Sequence, residues 1–488
     1  MHWKLTAITL LASASLLVVP APAAVAAPSE ENLSTLTRVF TLLVEQHYAR
    51  PDEEELLQGA IAGMLDVLDD PYTSYLTPKQ YDELTDAVNA NYAGIGAVLR
   101  PGPDRDALEV VEVYAGSPAA RAGIQAGDRI LAVDGTRVTP ENIGGMPGRI
   151  RGGAGTTVRL DLERGETLAV TRAEVELPTV THQAIDANLH YIRLLTFGNR
   201  TAGEFARSLA EAERSGAKGL VLDLRGNSGG YVLAAMEIAD ALMESGTIIN
   251  IPLSDGSTMP ILAEPGASAL PVSVLVDGDS ASASEILAGA LQVNGRARLV
   301  GRRTFGKGTM QAPEELPNGG ILKLSVARWE LADGTSPDFV GLKPDVQVQN
   351  DDLAMGAAIQ AVVPQRSQRL TLGRRPGFGV LNGHDLPMAP AVVEVDGQTY
   401  VPLRYTMEAL GSEVRYRSDS QSVQFVFGEH AFLADLKTGV LATDGAQGVD
   451  PSAVRLIDGK AYLTPAAVAQ VTGGQVHVED RAVVVQTP

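Results

Sequence analysis

Apolar residues recur at three- and four-residue spacing along ENLSTLTRVFTLLVEQHY and EEELLQGAIAGMLDVLDD, which predicts helices between residues 31 and 86. The next stretch, DDPYTSYLTPKQYDEL, mixes turn and helix signals. The pattern then changes. Over residues 87–174 Gly-rich turns alternate with short runs rich in Val, Ile and Leu, such as YAGIGAVL, ALEVVEVY and DRILAVDGTRV, which predicts a small β-rich module. From about 180 to 350, strand-like runs (LHYIRLLTF, GLVLDLRG, PVSVLVDG) alternate with helical ones (EFARSLAEAERSG, YVLAAMEIADALMESG). That alternation predicts an α/β layout around a largely buried sheet. Residues 351–388 are polar and basic, then RRPGFGVLNGHDLPM, and predict a linker. The remainder holds an internal repeat. VDGQTYVPLRYTMEALGSEVRYRSDSQSVQF matches IDGKAYLTPAAVAQVTGGQVHVEDRAVVVQ, with Asp396-Gly397 against Asp458-Gly459 and Tyr400 against Tyr462.

Composition narrows the function classes. The 488 residues suit about three domains. A formal net charge of −20 argues against a nucleic-acid partner. The absence of cysteine excludes disulfides, a lipoprotein anchor and a thiol nucleophile. At the N-terminus, His2 and Lys4 precede the apolar run LTAITLLASASLLVV and the small-residue site Ala24-Val25-Ala26. This predicts a cleaved secretory signal over residues 1–26, with an uncleaved anchor as the alternative. Export to a periplasm, cell surface or exterior is expected.

Four short motifs carry candidate chemistry. GNSGG, Gly226 to Gly230, fits the G-x-S-x-G elbow between a strand and a helix and makes Ser228 a candidate esterase nucleophile. Its histidine partners are poorly ordered for that role: His384, His430 and His477 lie beyond the α/β region, and His182 and His190 precede it. GRRTFGKG nearly matches a phosphate-binding loop, but Gly308 stands where a Ser or Thr should hold magnesium. Successive N–H groups at Gly94, Ile95 and Gly96 in YAGIGAVL can form a nest for a carboxylate. In DGDSASASEILAGAL, Ser280, Ser282 and Ser284 precede a helical pattern, and Ser282 with Glu285 forms a capping box. By themselves these serines read first as the start of a helix, with a nucleophile as the second reading. A nucleophilic serine here needs a base other than histidine. Lys307, between two glycines and beside Phe305 and Met310, can serve if burial lowers its pKa.

Taken together, DGDSASASEILAGALQVNGRARLVGRRTFGKGTMQ resembles the active-site segment of the carboxyl-terminal processing peptidases, tail-specific Ser–Lys proteases. LLQGAIAGMLDVLDDPYTSYL, SPAARAGIQAGDRILAVDGTRV, KGLVLDLRGNSGG and GLKPDVQV are similar to that family in the same order. The resemblance implies Ser282 as nucleophile, Lys307 as base and Gln311 as the residue orienting it. It implies an oxyanion hole from the N–H of Ala283 and one from the Gly229-Gly230 turn. It also implies PDZ capture of free protein C-termini, with no cofactor. The expected fold is multidomain α/β. It comprises a signal (1–26), a helical segment (27–86), an inserted β-rich PDZ domain (87–174), a Ser–Lys protease core of crotonase-like ββα layering (175–350), a linker (351–388) and a small α+β repeat domain (389–488). Two departures stand out. TPENIGGMPGRIRGG, where a peptide-groove helix should lie, is a weak helix. The repeat resembles the N-terminal domain of copper amine oxidases but has no clustered histidines, so an adhesive, dimerising or wall-contacting role is expected rather than a metal site. An inactive PDZ scaffold and the Ser228 esterase are the competing readings.

Overall fold

The computed structural model describes residues 28–363, 367–382, 384–386, 389–444 and 452–488, so the expected signal at 1–26 lies outside the described residues. The chain forms two compact units: residues 77–179 with 198–200, and the rest.

The N-terminal periodicity yields helices α1 (Glu30–Gln46) and α2 (Glu53–Asp66), started by Ser29 and Asp52 side chains that accept N–H groups of the first turn. A short strand, β1 (Ser74–Leu76), follows. In the smaller unit, strands β2 (Ala97–Pro101), β3 (Leu108–Val113), β4 (Arg129–Val133), β5 (Thr157–Leu162) and β6 (Thr167–Thr171) make a sheet in that order, with β2 at its edge. Ile95, Leu108, Val110, Ile130, Val158 and Leu160 fill its core. The weak helix expected over 139–153 is a 3₁₀ turn, Ile143–Gly145, and a five-residue helix, Met146–Ile150. Arg172 holds it in place. Its buried guanidinium donates to the carbonyls of Ile150 and Arg149, which would otherwise lack partners at the helix end.

The larger unit is built on a six-stranded sheet, ordered β7 (Val180–Ala184), β8 (Leu189–Leu194), β9 (Gly219–Asp223), β10 (Val272–Val276), β11 (Ala297–Gly301) and β14 (Val346–Gln347). Only the β7–β8 pair is antiparallel. Every residue of β9 and β10 is buried, because both faces are covered. Leu220, Leu222, Val274 and Val276 face a core containing helices α3 (Thr201–Arg214), α4 (Val232–Leu242) and α5 (Ala283–Val293). The alternate residues Val221, Leu275 and Val300 face a second core. A separate three-stranded sheet joins β1, β13 (Ile321–Arg328) and β12 (Thr309–Glu315) in that order.

The second core changes the reading of the segment taken as a linker. Residues 351–388 hold helix α6 (Asp351–Val362), which packs on β9, β10 and β11, and strand β15 (Arg369–Gly373). The Ser273 hydroxyl on β10 donates to Ala358 O at 2.9 Å. Strand β15 pairs with β18 (Ala482–Gln486) at the end of the chain. Polar and basic composition suggested a spacer because α6 presents small residues to its neighbours. A Cβ at Gly356, for example, would lie 2.3 Å from Ala409 O. Both repeat copies run strand, turn, strand, helix, two strands, and β16 (Gln398–Pro402) pairs with β17 (Lys460–Leu463) to join them. The matched turns at Asp396-Gly397 and Asp458-Gly459 all take positive φ, as hairpin turns of this type require.

A chain ending at Asn350 is therefore expected to lose the protease fold. Leu353, Ile359 and Val362 are buried against the sheet. Each contributes about 1.5–3 kcal/mol, and together they approach the whole stability of about 5–15 kcal/mol typical of a domain. Circular dichroism and soluble yield of the truncated chain check this. A folded, soluble product would show that α6 is dispensable.

Candidate active site

Strand β10 ends at Asp277, whose carboxylate accepts N–H groups of Gly226, Asp279 and Ser280 at 3.0–3.1 Å. It thereby ties the glycine loop after β9 to the serine turn after β10. The three serines then differ. Ser280 donates to Leu224 O and Ser284 to Asn227 O, each at 2.8 Å, and both are fully buried. Ser282 remains 8% exposed and takes φ +56°, ψ −115° at the N-cap of α5. That region costs a non-glycine residue about 1–3 kcal/mol. Ser282 and Glu285 close a capping box, and the Glu285 N–H also donates to the Ser282 carbonyl at 2.8 Å.

Across from Ser282 lies the glycine loop. Asn227 is fully buried and splints it: its amide donates to Leu194 O and its Oδ1 accepts the Gly229 N–H, both at 2.9 Å. Gly229 takes φ +104°, and a Cβ there would lie 3.0 Å from Ser282 Cβ and 3.1 Å from Ala283 N. The missing side chain keeps open the space beside the Ala283 N–H. Because Gly229 already donates to Asn227, Gly230 is the member of the pair whose N–H, like that of Ala283, has no hydrogen-bond partner among the described residues. Ser228 is exposed on this loop. His182 and His190 stack on one another at 5.7 Å on the β7–β8 hairpin, with His182 near Glu211.

Lys307 enters from the turn before β12. Glu285, fully buried, gathers this turn and the serine turn onto one carboxylate. Its Oε1 accepts the Thr304 hydroxyl at 2.6 Å and the Gly306 N–H at 2.8 Å. Its Oε2 accepts the N–H of Lys307 at 2.8 Å and of Ser282 at 2.9 Å. The backbones of Ser282 and Lys307 thus meet at a single oxygen. Lys307 is half-buried, and burial first, then the charge of Lys323, hold its ammonium below the usual lysine range, against the pull of Asp70 and Glu285. Its Nζ stands 5.0 Å from the Tyr72 ring centroid. Gln311 donates to the hydroxyls of Thr309 (2.9 Å) and Ser325 (3.2 Å). Ser325 N–H donates in turn to Thr73 Oγ1, which donates to Asp70.

In the smaller unit, Ile95 is buried in the core and its carbonyl accepts the Ala119 N–H. Gly96 takes φ +76°, and a Cβ there would lie 2.3 Å from Ser117 Cβ. The Tyr92 ring folds over Gly94, with its hydroxyl near the backbone of Gly96 and Ala97 and the charge of Arg151. The nest read from YAGIGAVL thus has a phenol beside it.

The sequence reading missed the reach of Glu285, read only as a cap, and the roles of Asn227, Asp277, Asp70 and Tyr72. DPYT carried turn signals alone; its approach to Lys307 depends on β1 pairing with β13. Among the described residues no group of three or more His, Asp or Glu could hold a metal, and no helix is long and apolar enough to cross a membrane.

Comparisons with known proteins show the family. Residues 188–348 match Peptidase family S41 and 109–164 a PDZ domain. Residues 14–80 match the activating protease CtpB N-terminal domain, and 380–487 the copper amine oxidase N-terminal domain. The chain is 34% identical over 335 residues to the carboxy-terminal processing protease CtpA of Bacillus subtilis (strain 168), spanning 67% of this chain and 72% of that protein. It is 39% identical over 306 residues to a carboxyl-terminal-processing protease of Picosynechococcus sp., spanning 60% and 73%. A solved photosystem II D1 C-terminal processing protease aligns at 30% identity and TM-score 0.42, over 69% of this chain and 97% of that one. The chain belongs to peptidase family S41, the carboxy-terminal processing serine proteases, and carries a PDZ domain with its multidomain α/β fold.

Proposed function

We propose that Ser282 is the nucleophile of this endopeptidase and Lys307 its general base. The observation that carries the assignment is the Glu285 carboxylate, one oxygen of which accepts the backbone N–H groups of both residues. The neutral Lys307 amine takes the Ser282 proton as Oγ attacks the peptide carbonyl. The oxyanion is received by the Ala283 N–H and the Gly229-Gly230 turn, where Gly230 has the unused donor. The lysine ammonium then gives its proton to the departing amine as the C–N bond breaks. Water repeats the cycle on the acyl-enzyme. Gln311 has both amide hydrogens engaged, so its carbonyl oxygen is the atom left to orient the Lys307 ammonium.

The PDZ domain receives a free protein C-terminus at Gly94, Ile95 and Gly96, with the peptide adding a strand to the β2 edge. The Tyr92 ring, which folds over Gly94, must leave room for the carboxylate to enter. The leader at 1–26 exports the chain. The stripe Leu33, Leu36, Val39 and Leu43 on α1, all exposed, supports a homodimer. The C-terminal repeat contacts the cell wall or surface.

The test is cleavage of an unfolded protein ending in an apolar residue, as the free acid and as the amide. The acid is expected to be cut with about 10- to 100-fold higher kcat/KM, the value of charge-assisted bonds to one carboxylate. Ser282→Ala should abolish both activities and Ser228→Ala neither. Equal cleavage of acid and amide would remove the PDZ domain from substrate selection.

A further inference from the structure

Residues 336–341 lie along the lysine turn and carry a strained phenylalanine. The Phe339 N–H donates to Gly306 O and the Gly308 N–H to Asp338 Oδ1, both at 2.9 Å. The Arg303 guanidinium donates to the carbonyls of Val340 (3.2 Å) and Gly341 (3.1 Å). A Cβ at Gly308 would lie 2.6 Å from Asp338 Cβ, so the two segments touch without room between them. Held this way, Phe339 takes φ +55°, a region that bulky L-residues rarely adopt.

The strain does not place the ring in a core. Phe339 is 70% exposed, and its ring rests on Tyr72 with centroids 6.3 Å apart and planes at 27°. Tyr72 in turn stands beside Lys307 Nζ. Phe305 and Val340, on the same two pinned segments, are also exposed. Phe339 lines a depression of about 480 Å³ with Pro252, Arg328, Glu330, Ser336 and Asp338. Backbone strain held in place by surrounding bonds clusters at active sites and ligand clamps.

We propose that Phe339 is a specificity-determining residue whose ring receives an apolar substrate side chain on the leaving-group side of the scissile bond. This rests on the Ser282–Lys307 assignment. The amine that takes the Ser282 proton must pass it to the departing nitrogen, so the surface around Nζ borders the residues that leave. The acyl half borders Ala283 and the glycine loop instead. The substrate is an extended polypeptide with a residue such as leucine immediately after the cut.

Two peptides sharing one acyl half, with Leu or Ser after the scissile bond, test this beside an activated ester of the same acyl half. Phe339→Gly suits the backbone conformation and should melt at or above the wild-type temperature. It is expected to lower the Leu-over-Ser ratio of kcat/KM by about tenfold, the value of an apolar contact. Ester hydrolysis, which has no residue on the leaving side, should stay within about twofold of wild type. An unchanged ratio overturns the proposal, as does an equal loss on ester and peptides. Lys307→Arg on the same peptides reads the underlying assignment separately: its inactivity beside an unchanged Phe339→Gly ratio overturns the specificity role alone, whereas its turnover overturns the assignment on which the leaving-side argument rests.

Discussion

Lys307→Arg is expected to leave a folded protein as inactive as Ser282→Ala, down about 10⁴-fold or more in kcat, the scale of losing a nucleophile or its base. Arginine keeps the charge and much of the length, so a structural lysine would tolerate the change. A base does not, because a guanidinium stays protonated across the usable pH range. The turn itself survives, since its hold on Glu285 runs through the Lys307 backbone N–H. In the wild type, burial and Lys323 lower the Lys307 pKa. Only the neutral amine accepts the serine proton, so kcat/KM should rise as pH climbs through that lowered pKa. Asp70 works in the opposite direction, favouring the ammonium. Asp70→Asn should therefore move the rising limb to lower pH. The pH–rate profile with an unfolded substrate, and circular dichroism of each variant, make the check. Substantial turnover by the arginine variant would sink the Ser–Lys assignment.

Glu285→Gln should also be damaging, though less so, because Glu285 is a positioning residue and not a catalytic one. Four donors converge on its two oxygens: Thr304, Gly306, Lys307 and Ser282. An amide replaces one oxygen with a donor group, which then faces two donors. Two charge-assisted bonds are lost, at about 1.5–3 kcal/mol each, a large part of a stability of roughly 5–15 kcal/mol. We expect a lower melting temperature. At low temperature, where the variant remains folded, kcat should be down about 100-fold with little change in KM, because Glu285 does not touch substrate. Thermal denaturation and steady-state kinetics separate the two effects. Wild-type kcat per folded molecule would reduce Glu285 to a helix cap.

Much of the proposed site was legible because its parts are local. The S-A-S-A-S-E and F-G-K-G motifs each lie in one turn, and G-N-S-G-G sits between a strand and a helix, as the pattern predicts. Which serine does chemistry was not legible without the family resemblance. Ser280, Ser282 and Ser284 have the same side chain at alternate positions. Only the tertiary fold points Ser280 at Leu224 and Ser284 at Asn227 while holding Ser282 at a left-handed φ with slightly more exposure than either. Phe339 carried no sequence signal either, since its strain arises from bonds to a turn about thirty residues earlier in the chain.

The sequence by itself determined the order and kind of elements. Helical spacing at the N-terminus, the β-rich insert, the α/β alternation and the doubled Asp-Gly repeat all follow from residue periodicity and turn chemistry, which act within a few positions. The tertiary structure alone decided what covers the second face of the sheet. A strand buried on both faces reads as one apolar run, as in GLVLD and VSVLV, and does not reveal its partners. Here Val221, Leu275 and Val300 turn toward α6 and the repeat module, while Leu220, Leu222 and Val274 turn toward α3, α4 and α5. The segment that looked like a linker is part of the second core, because burial depends on contacts between residues far apart in the chain and composition reports only on residues that are near.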